Sequence, residues 1–287
     1  MFTLNCKGKL LTIEQPLVMG IINATPDSFY KGDLKAGLQK IVEKAGKMIM
    51  EGADIIDIGG QSTRPGSVRI SASEEIQRVI PVIDSIVANY PQIILSIDTY
   101  HSQVAEAAIK AGASIVNDIS AGSLDPEMIN CVSSLNAPYI CMHMKGTPEN
   151  MQDNPTYEDL IKEVLDFFID KIDQCKRAGI KDLVIDPGFG FGKTIHQNFI
   201  LLKQLSVFKI LDQPILAGLS RKSMIYKTLG IDVSEALNGS AVLNTIALQQ
   251  GASILRIHDV KEAKEAVTLF TSFDLSLIHI SEPTRPY

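Results

Sequence analysis

The stretch DLVIDPG, residues 182–188, decides the fold predicted for this chain. Its apolar residues occupy consecutive rather than alternate positions, and Asp186, Pro187 and Gly188 follow them directly. Strands of a parallel sheet have this pattern when both of their faces are buried. The polar residue at the end marks the point where the chain leaves the core.

The same arrangement occurs eight times. The strand candidates, in chain order, are LVMGIIN, DIIDIGG, IILSID, SIVND, APYICMH, DLVIDPG, PILAGLS and ILRIH. Amphipathic helical segments separate them, and several end on a glycine that can terminate a helix. Eight βα units predict an α/β protein, a closed (β/α)8 TIM barrel, with an N-terminal β-hairpin in residues 2–13. A doubly wound open sheet is the alternative.

We expect this barrel to be a single domain over residues 1–273. Residues 274–287 include LSLIHISEPTR (275–285), which breaks the preceding pattern. Back-translated, this peptide resembles read-through of a transposase-type sequencing adapter. We therefore expect a non-native, disordered tail, with a natural disordered tail as the alternative.

Composition excludes some classes of partner. The formal net charge of −6 argues against a nucleic-acid-binding groove, which would be basic. The four cysteines have no paired spacing, which is typical of a reduced cytoplasmic chain and does not suggest a zinc site. No apolar run approaches the roughly 18 residues of a membrane span. We expect a cytoplasmic protein that binds neither nucleic acid nor membrane.

Polar residues end the eight predicted strands. If the barrel closes, these ends meet at the rim where barrel enzymes hold their active sites. They are Asn23, Asp57, Asp98, Asn117, Asp118, His143, Asp186, Ser220, Arg221, Arg256 and His258.

The acids and amides at this rim suit a flat nitrogen heterocycle. Asp98, Asn117 and Asp186 end the third, fourth and sixth strands. A carboxylate can accept two parallel hydrogen bonds from an N–C–N edge, and an asparagine can both donate and accept. Neutralisation of nearby lysine or arginine, or binding of a metal, is the alternative.

Basic residues follow the seventh and eighth strands, where barrels recurrently bind phosphate. They are Arg221, Lys222, Arg256 and His258. A pyrophosphate-sized anion fits this pattern, although Lys222 could instead be a Schiff-base lysine of an aldolase. The loops INATPDSF (22–29) and GGQSTRPG (59–66) have the composition of lids that order over a substrate, or are plain solvent loops.

The glycine-rich stretch DPGFGFGK (186–193) is not a phosphate loop. Three residues rather than four separate Gly188 from Gly192, and no dinucleotide fingerprint is present. The glycines favour close approach of the backbone to a flat ligand, with Phe191 beside its ring. Lys193 is the residue of this stretch that we expect to matter least.

These segments together resemble the dihydropteroate synthase family of pterin-binding barrels. The motifs are GIINATPDSF, DIIDIGGQSTRPG, SIDT, IVNDIS, MHMKGTP, IDPGFGFGK, GLSRKSMI and RIHDV, over residues 1 to about 273. The resemblance implies a transferase of folate biosynthesis, with Mg²⁺ as cofactor. It would join 6-hydroxymethyl-7,8-dihydropterin pyrophosphate to 4-aminobenzoate, releasing pyrophosphate by a dissociative displacement.

The resemblance also assigns residues to the two substrates. The catalytic set would be Asp98, Asn117, Asp186, Lys222, Arg256 and His258. The pterin pyrophosphate would contact these six residues and Thr63, Arg64, Met142 and Gly218. The 4-aminobenzoate, with which sulfonamides would compete, would contact Phe29, Ser62, Pro65, Phe191, Lys222 and Ser223. Asn23 would bind the metal.

The chain departs from the family after TPDSF, where Tyr30-Lys31-Gly32-Asp33 replaces the frequent Ser-Asp-Gly-Gly. The resemblance therefore does not determine how the first loop closes over a substrate. A homodimer is the usual assembly of the family. The main alternative is a methyltetrahydrofolate–corrinoid methyltransferase barrel, which has no use for a pyrophosphate cluster. A Schiff-base aldolase and a non-catalytic pterin-binding protein are further alternatives.

Overall fold

Eight parallel strands form the predicted barrel in the computed structural model, which describes residues 1–24, 34–62 and 69–280. The barrel strands are β3 (Leu17–Asn23), β4 (Ile55–Gly59), β5 (Ile94–Asp98), β6 (Ile115–Asp118), β7 (Tyr139–Met142), β8 (Leu183–Asp186), β9 (Leu216–Ala217) and β10 (Ile254–Ile257). An antiparallel hairpin of β1 (Phe2–Cys6) and β2 (Lys9–Ile13) precedes them, so both parts of the fold prediction are confirmed.

Helices connect the strands and cover the outside of the barrel. They are α1 (Leu34–Met50), α2 (Ala72–Asn89), α3 (Ser102–Ala111), α4 (Met128–Leu135), α5 (Leu160–Ala178), α6 (Ile195–Lys203), α7 (Ser223–Leu229), α8 (Leu237–Gln249) and α9 (Val260–Ile280). Two 3-10 helices, Leu205–Leu211 and Val233–Glu235, complete the connections. None of the helices in the described ranges is both long and apolar enough to cross a membrane.

The barrel is almost fully closed by hydrogen bonds. Strand order is β8-β7-β6-β5-β4-β3-β10-β9, and a parallel bridge from Ile185 to Ile215 joins the two ends of that order. The Ile185 N–H donates to the Pro214 carbonyl at 3.0 Å across the same seam. This closure brings the polar ends of all eight strands to one rim.

The hairpin closes the opposite end of the barrel. Its turn is Lys7-Gly8, with φ of 55° and 87°, and Asn5 Oδ1 accepts the Gly8 N–H at 2.7 Å. Leu4, Cys6 and Ile13 pack against apolar side chains that the strands direct into the barrel. The hairpin therefore seals the end remote from the polar rim.

The final helix extends into the segment that we predicted as a tail. Helix α9 begins at Val260 and ends at Ile280, and residues 281–287 lie outside the described ranges. Residues 274–280 thus belong to this helix in the structure. The domain boundary at 273 and the disordered, non-native tail stay predictions.

Removing the hairpin's buried contact should destabilise the barrel. Leu4 is 2% exposed, whereas Leu10 of the same hairpin is 69% exposed. We expect Leu4→Ala to lower the free energy of unfolding by about 2–5 kcal/mol, because it leaves a cavity. The matched control Leu10→Ala should change it by less than about 0.5 kcal/mol. Urea denaturation measures both changes. Equal effects would contradict the conclusion that the hairpin closes this end of the barrel through buried contacts.

Candidate active site

The carboxyl ends of β4, β5 and β10 meet in a buried ion-pair network. The Arg256 guanidinium donates from Nε to Asp57 Oδ2 at 2.7 Å and from Nη2 to Asp98 Oδ2 at 2.5 Å. Asn117, on β6, donates from Nδ2 to the same Asp57 oxygen at 3.1 Å. Because both carboxylates are almost entirely buried, they depend on Arg256 to compensate their charge.

Two carboxylate oxygens in this network suit a ligand. Among the residues that the structure describes, Asp57 Oδ1 and Asp98 Oδ1 are buried without a hydrogen-bond partner. Burial raises the pKa of Asp98 to about 7, and the charge of Arg256 opposes the shift. A ligand with adjacent N–H groups would supply the donors that these oxygens lack.

Asp186 lies at the same rim, at the end of β8. Its Oδ1 accepts the Gly188 N–H at 2.8 Å, so the turn after the strand fixes the carboxylate. Burial raises the pKa of Asp186, and the Lys222 ammonium opposes this shift more strongly than any other charge. The closed barrel thus brings Asp186 close to a lysine that follows the next strand.

Lys222 and Phe191 form the basic side of the mouth. Lys222 Nζ donates to the Phe189 carbonyl and lies 4.5 Å from the centroid of the Phe191 ring. Burial lowers the pKa of Lys222 to about 8, while Asp186 opposes the shift. The negative face of the ring stabilises the ammonium. An aromatic ligand against Phe191 would therefore also meet a cation.

His258 is held by Ser220 of the β9–α7 connection. The His258 N–H donates to Ser220 Oγ at 3.2 Å, and His258 Nδ1 lies 3.1 Å from the same oxygen. Burial, and next the charge of Arg256, lowers the pKa of His258 to about 4. The imidazole is therefore neutral near pH 7, so it offers hydrogen bonds to an anion rather than a charge.

Arg221, which the sequence places among the candidate phosphate-binding cations, pairs with an acid of the protein itself. Its Nε and Nη2 donate to the two oxygens of Asp259 at 2.8 and 2.9 Å. Its Nη1 donates to the carbonyls of Val233 and Ser234. The guanidinium thus ties the β9–α7 connection to Asp259, the residue before α9. No local pattern in the sequence marks this pairing.

The glycine-rich stretch packs closely against the connection after β7. Gly188 and Gly192 have φ of 72° and 62°, the left-handed region that favours glycine. A Cβ on Gly188 would lie 1.9 Å from the His143 carbonyl oxygen, and one on Gly192 would lie 2.3 Å from that of Lys145. These glycines are required by backbone contacts between two loops of the protein itself.

Lys193, from which we expected least, is buried at the centre of this contact. It is 2% exposed, and its Nζ lies 2.9 Å from His143 Nδ1. The same nitrogen donates to the carbonyls of Gly188 and Phe191 at 3.0 and 3.1 Å. Burial lowers the pKa of Lys193 to about 7. The expectation weighed this lysine only as a possible phosphate ligand and did not consider it as a link between loops.

The remaining predicted residues lie around this network or outside the described ranges. Met142 is buried in an apolar cluster with Tyr100, Ile119 and Phe191. Ser223 begins α7, directly after Lys222, and Gly218 follows β9, where an added Cβ would have open space around it. Ser62 follows β4. Outside the described ranges lie Phe29, Thr63, Arg64, Pro65 and the departure at 30–33.

Asn23, the predicted metal ligand, ends β3 at the same rim. In the part of the chain that the structure describes, no group of three or more His, Cys, Asp or Glu side chains is arranged to hold a metal ion. A hard cation here would need oxygen ligands from elsewhere. Mg²⁺ commonly takes them from water and from substrate phosphates, so a single amide oxygen at the rim is compatible with it.

Comparisons with known proteins agree with this geometry. A family profile described as pterin binding enzyme matches residues 19–258. The dihydropteroate synthase of Escherichia coli K12 is 44% identical over 263 residues, which cover 91% of this chain and 93% of that protein. The chain belongs to the dihydropteroate synthase family of pterin-binding enzymes.

Solved dihydropteroate synthases share the whole fold. The Yersinia pestis enzyme, in complex with a sulfonamide drug, superimposes with a TM-score of 0.90 at 39% identity and covers 96% of this chain and 100% of its own. The Xanthomonas albilineans enzyme with 4-aminobenzoic acid has a TM-score of 0.88 at 39% identity, with coverage of 98% and 99%. The protein is accordingly an enzyme, a transferase.

Glu75, which the sequence did not single out, contacts two segments of the polar rim from helix α2. It is 1% exposed on α2, accepts from Thr99 Oγ1 at 3.1 Å and is hydrogen-bonded to the Gly60 backbone. Burial raises its pKa to about 7. Glu75 thus links the segments that follow β4 and β5. A glutamate one turn into a helix is ordinary in sequence, so no local signal marked it.

Glu75 should make stability depend on pH. Its pKa is higher in the folded state than in the unfolded state, so the folded state binds more protons between about pH 4.5 and 7. Stability should therefore fall as pH rises through that window. We expect Glu75→Gln to reduce this fall and to stabilise the protein at pH 8 by about 1–3 kcal/mol. The measurement is urea denaturation from pH 4.5 to 8.

The control is Glu74→Gln, one residue earlier on the exposed face of α2. Its pH dependence should match that of the parent protein. A Glu75→Gln curve parallel to the parent curve would show that the pKa of Glu75 is the same in the folded and unfolded states.

Proposed function

We propose that this enzyme condenses 6-hydroxymethyl-7,8-dihydropterin pyrophosphate with 4-aminobenzoate to give 7,8-dihydropteroate and pyrophosphate. The observation that carries the proposal is the buried, unpartnered Asp98 Oδ1 at a rim that also holds Asn117, Asp186 and two cations, Lys222 and Arg256. Acids and amides suit the pterin ring, and the cations suit the pyrophosphate. Membership of the synthase family supports the same reaction.

The pterin would be bound by the acids of β5 and β8 and the amide of β6. Its aminopyrimidine edge presents neighbouring N–H groups, which would donate to Asp98 and Asp186. The Asn117 side chain can serve ring nitrogens that need both a donor and an acceptor. Met142, buried beside Tyr100, would pack against the ring face. In this arrangement the ligand takes over part of the charge compensation that Arg256 gives to Asp98.

The displacement would be dissociative. The electron-rich dihydropterin can delocalise a cation at its methylene, so the C–O bond can break before the amine attacks. Arg256, with His258 as a neutral donor, would stabilise the charge that develops on the leaving pyrophosphate. A single donor aimed at such a developing charge typically contributes about 3 kcal/mol to the barrier. Thr63 and Arg64 are further candidates for the same anion.

The 4-aminobenzoate would lie on the other side of the methylene, against Phe191 and near Ser223. Lys222 faces the Phe191 ring and would attract the carboxylate half of the substrate or the pyrophosphate. Ser62, Phe29 and Pro65 would complete the pocket from the first two loops. Sulfonamides share the aromatic amine and would compete here, as the sulfonamide complex of the Yersinia pestis enzyme suggests.

Mg²⁺ would bind between Asn23 and the pyrophosphate. The Asn23 amide would supply one oxygen, and the substrate and water would supply the rest. Bound there, the ion would neutralise charge on the leaving group. Chelation should therefore abolish product formation, and added Mg²⁺ should restore it.

We also propose that the enzyme is a cytoplasmic homodimer. Val242 on α8 and Leu269 on α9 are exposed apolar residues on two helices that pack side by side. Burying such a patch between two copies would be favourable. Light scattering of the full chain should give twice the monomer mass of 31.3 kDa, and a monomer would contradict the dimer.

The test of the reaction is amine-dependent product formation. The full chain with Mg²⁺ and the dihydropterin pyrophosphate should form dihydropteroate only when 4-aminobenzoate is added, with an equivalent of pyrophosphate. Binding of the ester without any amine-dependent product would overturn the synthase proposal. For the dissociative step, oxygen-18 is placed in the oxygen that joins the methylene to the pyrophosphate. In recovered ester the label should have moved partly into non-bridging oxygens of the pyrophosphate. Retention of the label would contradict that step.

Asp186→Asn should weaken pterin binding by about 2 kcal/mol, roughly thirty-fold. The asparagine oxygen can still accept the Gly188 N–H, but its NH₂ would replace the oxygen that receives the pterin donors. Titration calorimetry with a pterin ligand measures the loss. Asp182→Asn, at the opposite end of the barrel beside the hairpin, should leave the affinity unchanged. Unchanged affinity of Asp186→Asn would show that the pocket lies elsewhere.

A further inference from the structure

The glycine-rich stretch is held by an unusual set of hydrogen bonds. Each of the five consecutive carbonyls from Gly188 to Gly192 accepts a hydrogen bond from a side chain. In order, the donors are Lys193, Lys222, Gln152, Lys193 and Tyr157. Backbone carbonyls in loops are more often satisfied by water or by other backbone groups. This row of carbonyls, residues 188–192, is thus held rigid from several sides.

Lys193 is the central member of this set. An ammonium group has three protons, and three acceptors surround Lys193 Nζ within 3.1 Å: His143 Nδ1 and the carbonyls of Gly188 and Phe191. All three are uncharged. Burying a lysine among neutral acceptors costs free energy. We therefore explain the arrangement by the row of carbonyls that its hydrogen bonds order and not by ion pairing.

The residues that the row positions lie on the amine side of the proposed site. Phe191 belongs to the row and is half-buried, with its carbonyl fixed by Lys193. Lys222 donates to the Phe189 carbonyl, inside the row, and faces the Phe191 ring at 4.5 Å. A Cβ on Gly190 would lie 3.1 Å from Lys222 Cδ, so the row also borders the lysine stem. Of the predicted pterin ligands, Asp98 and Asn117 lie on other strands, and Asp186 meets the row through the Gly188 N–H.

We propose that Lys193 is a positioning residue, which holds the row so that Phe191 and Lys222 face the aromatic amine. The ordering is anchored on the β7–α5 connection, since His143, Gln152 and Tyr157 all belong to it. This connection, which makes no predicted substrate contact beyond β7 itself, therefore helps to determine binding of the aromatic amine. The inference rests on the proposed synthase reaction.

The experiment compares Lys193→Met with the parent enzyme. Methionine retains the length and apolar stem of lysine but gives no donor to the three acceptors. We expect the KM for 4-aminobenzoate to rise about ten-fold or more, with kcat reduced less. The Kd of the pterin ligand should change by no more than about three-fold. A merely structural role would lower the yield of active enzyme and leave both constants unchanged.

Two further variants keep the test decisive. Tyr157→Phe removes the donor to the Gly192 carbonyl without touching a buried charge, and should also raise the KM for 4-aminobenzoate, by about three-fold. It serves if Lys193→Met does not fold. Lys162→Met, an exposed lysine at the start of α5 that pairs with Asp166, is the control and should match the parent enzyme.

The outcomes separate the two proposals. Absence of amine-dependent product from the parent enzyme would overturn the proposed reaction itself. An active parent enzyme, with an unchanged KM for 4-aminobenzoate in Lys193→Met and Tyr157→Phe, would overturn the positioning role alone. Equal loss of pterin and amine binding would also overturn it, because the row would then support the whole mouth and not the amine side.

Discussion

The ion pairs of the Arg256 guanidinium with the carboxylates of Asp57 and Asp98 are the interaction on which the mouth of the barrel depends. They join β10 to β4 and β5 across the barrel, and Asn117 of β6 extends the network through Asp57. Without the cation, two buried carboxylates would face each other unpaired, which costs several kcal/mol. The same network keeps one oxygen of each acid without a donor. The fold is therefore stabilised by an arrangement that a ligand can complete.

The two ends of the barrel interior have different chemistry. At the hairpin end, Leu4 and Ile13 fill the interior with apolar contacts and exclude water. At the mouth, charged groups replace them, and burial raises the pKa of Asp98 and lowers that of Lys222. Shifted pKa values of this kind concentrate where a protein prepares a site for a polar ligand. Stability and function are thus separated along the barrel axis.

Two connections position residues of the proposed site, Lys222 and Phe191. The Arg221–Asp259 pair ties the segment after β9 to the start of the last helix, and so fixes the backbone next to Lys222. Lys193 ties the segment after β8 to the connection after β7. In sequence, Arg221 is a candidate phosphate ligand and Lys193 is not, yet both cations make their hydrogen bonds within the protein. At the described part of this rim, Lys222 and Arg256 remain as candidate cations for an anionic substrate, and they lie close to the acids that would bind its ring.

The sequence by itself determined the repeated βα units, the hairpin and the family, because buried parallel strands and fixed motifs are local patterns. It also identified Asp98, Asn117 and Asp186 as neighbours, since strand ends of a closed barrel must meet. Only the tertiary structure decided which charge pairs with which. Asp259 and Arg221 are 38 positions apart, and Asp57 and Arg256 are 199 apart. Such pairings depend on side-chain direction and on the exclusion of water, which no local pattern encodes.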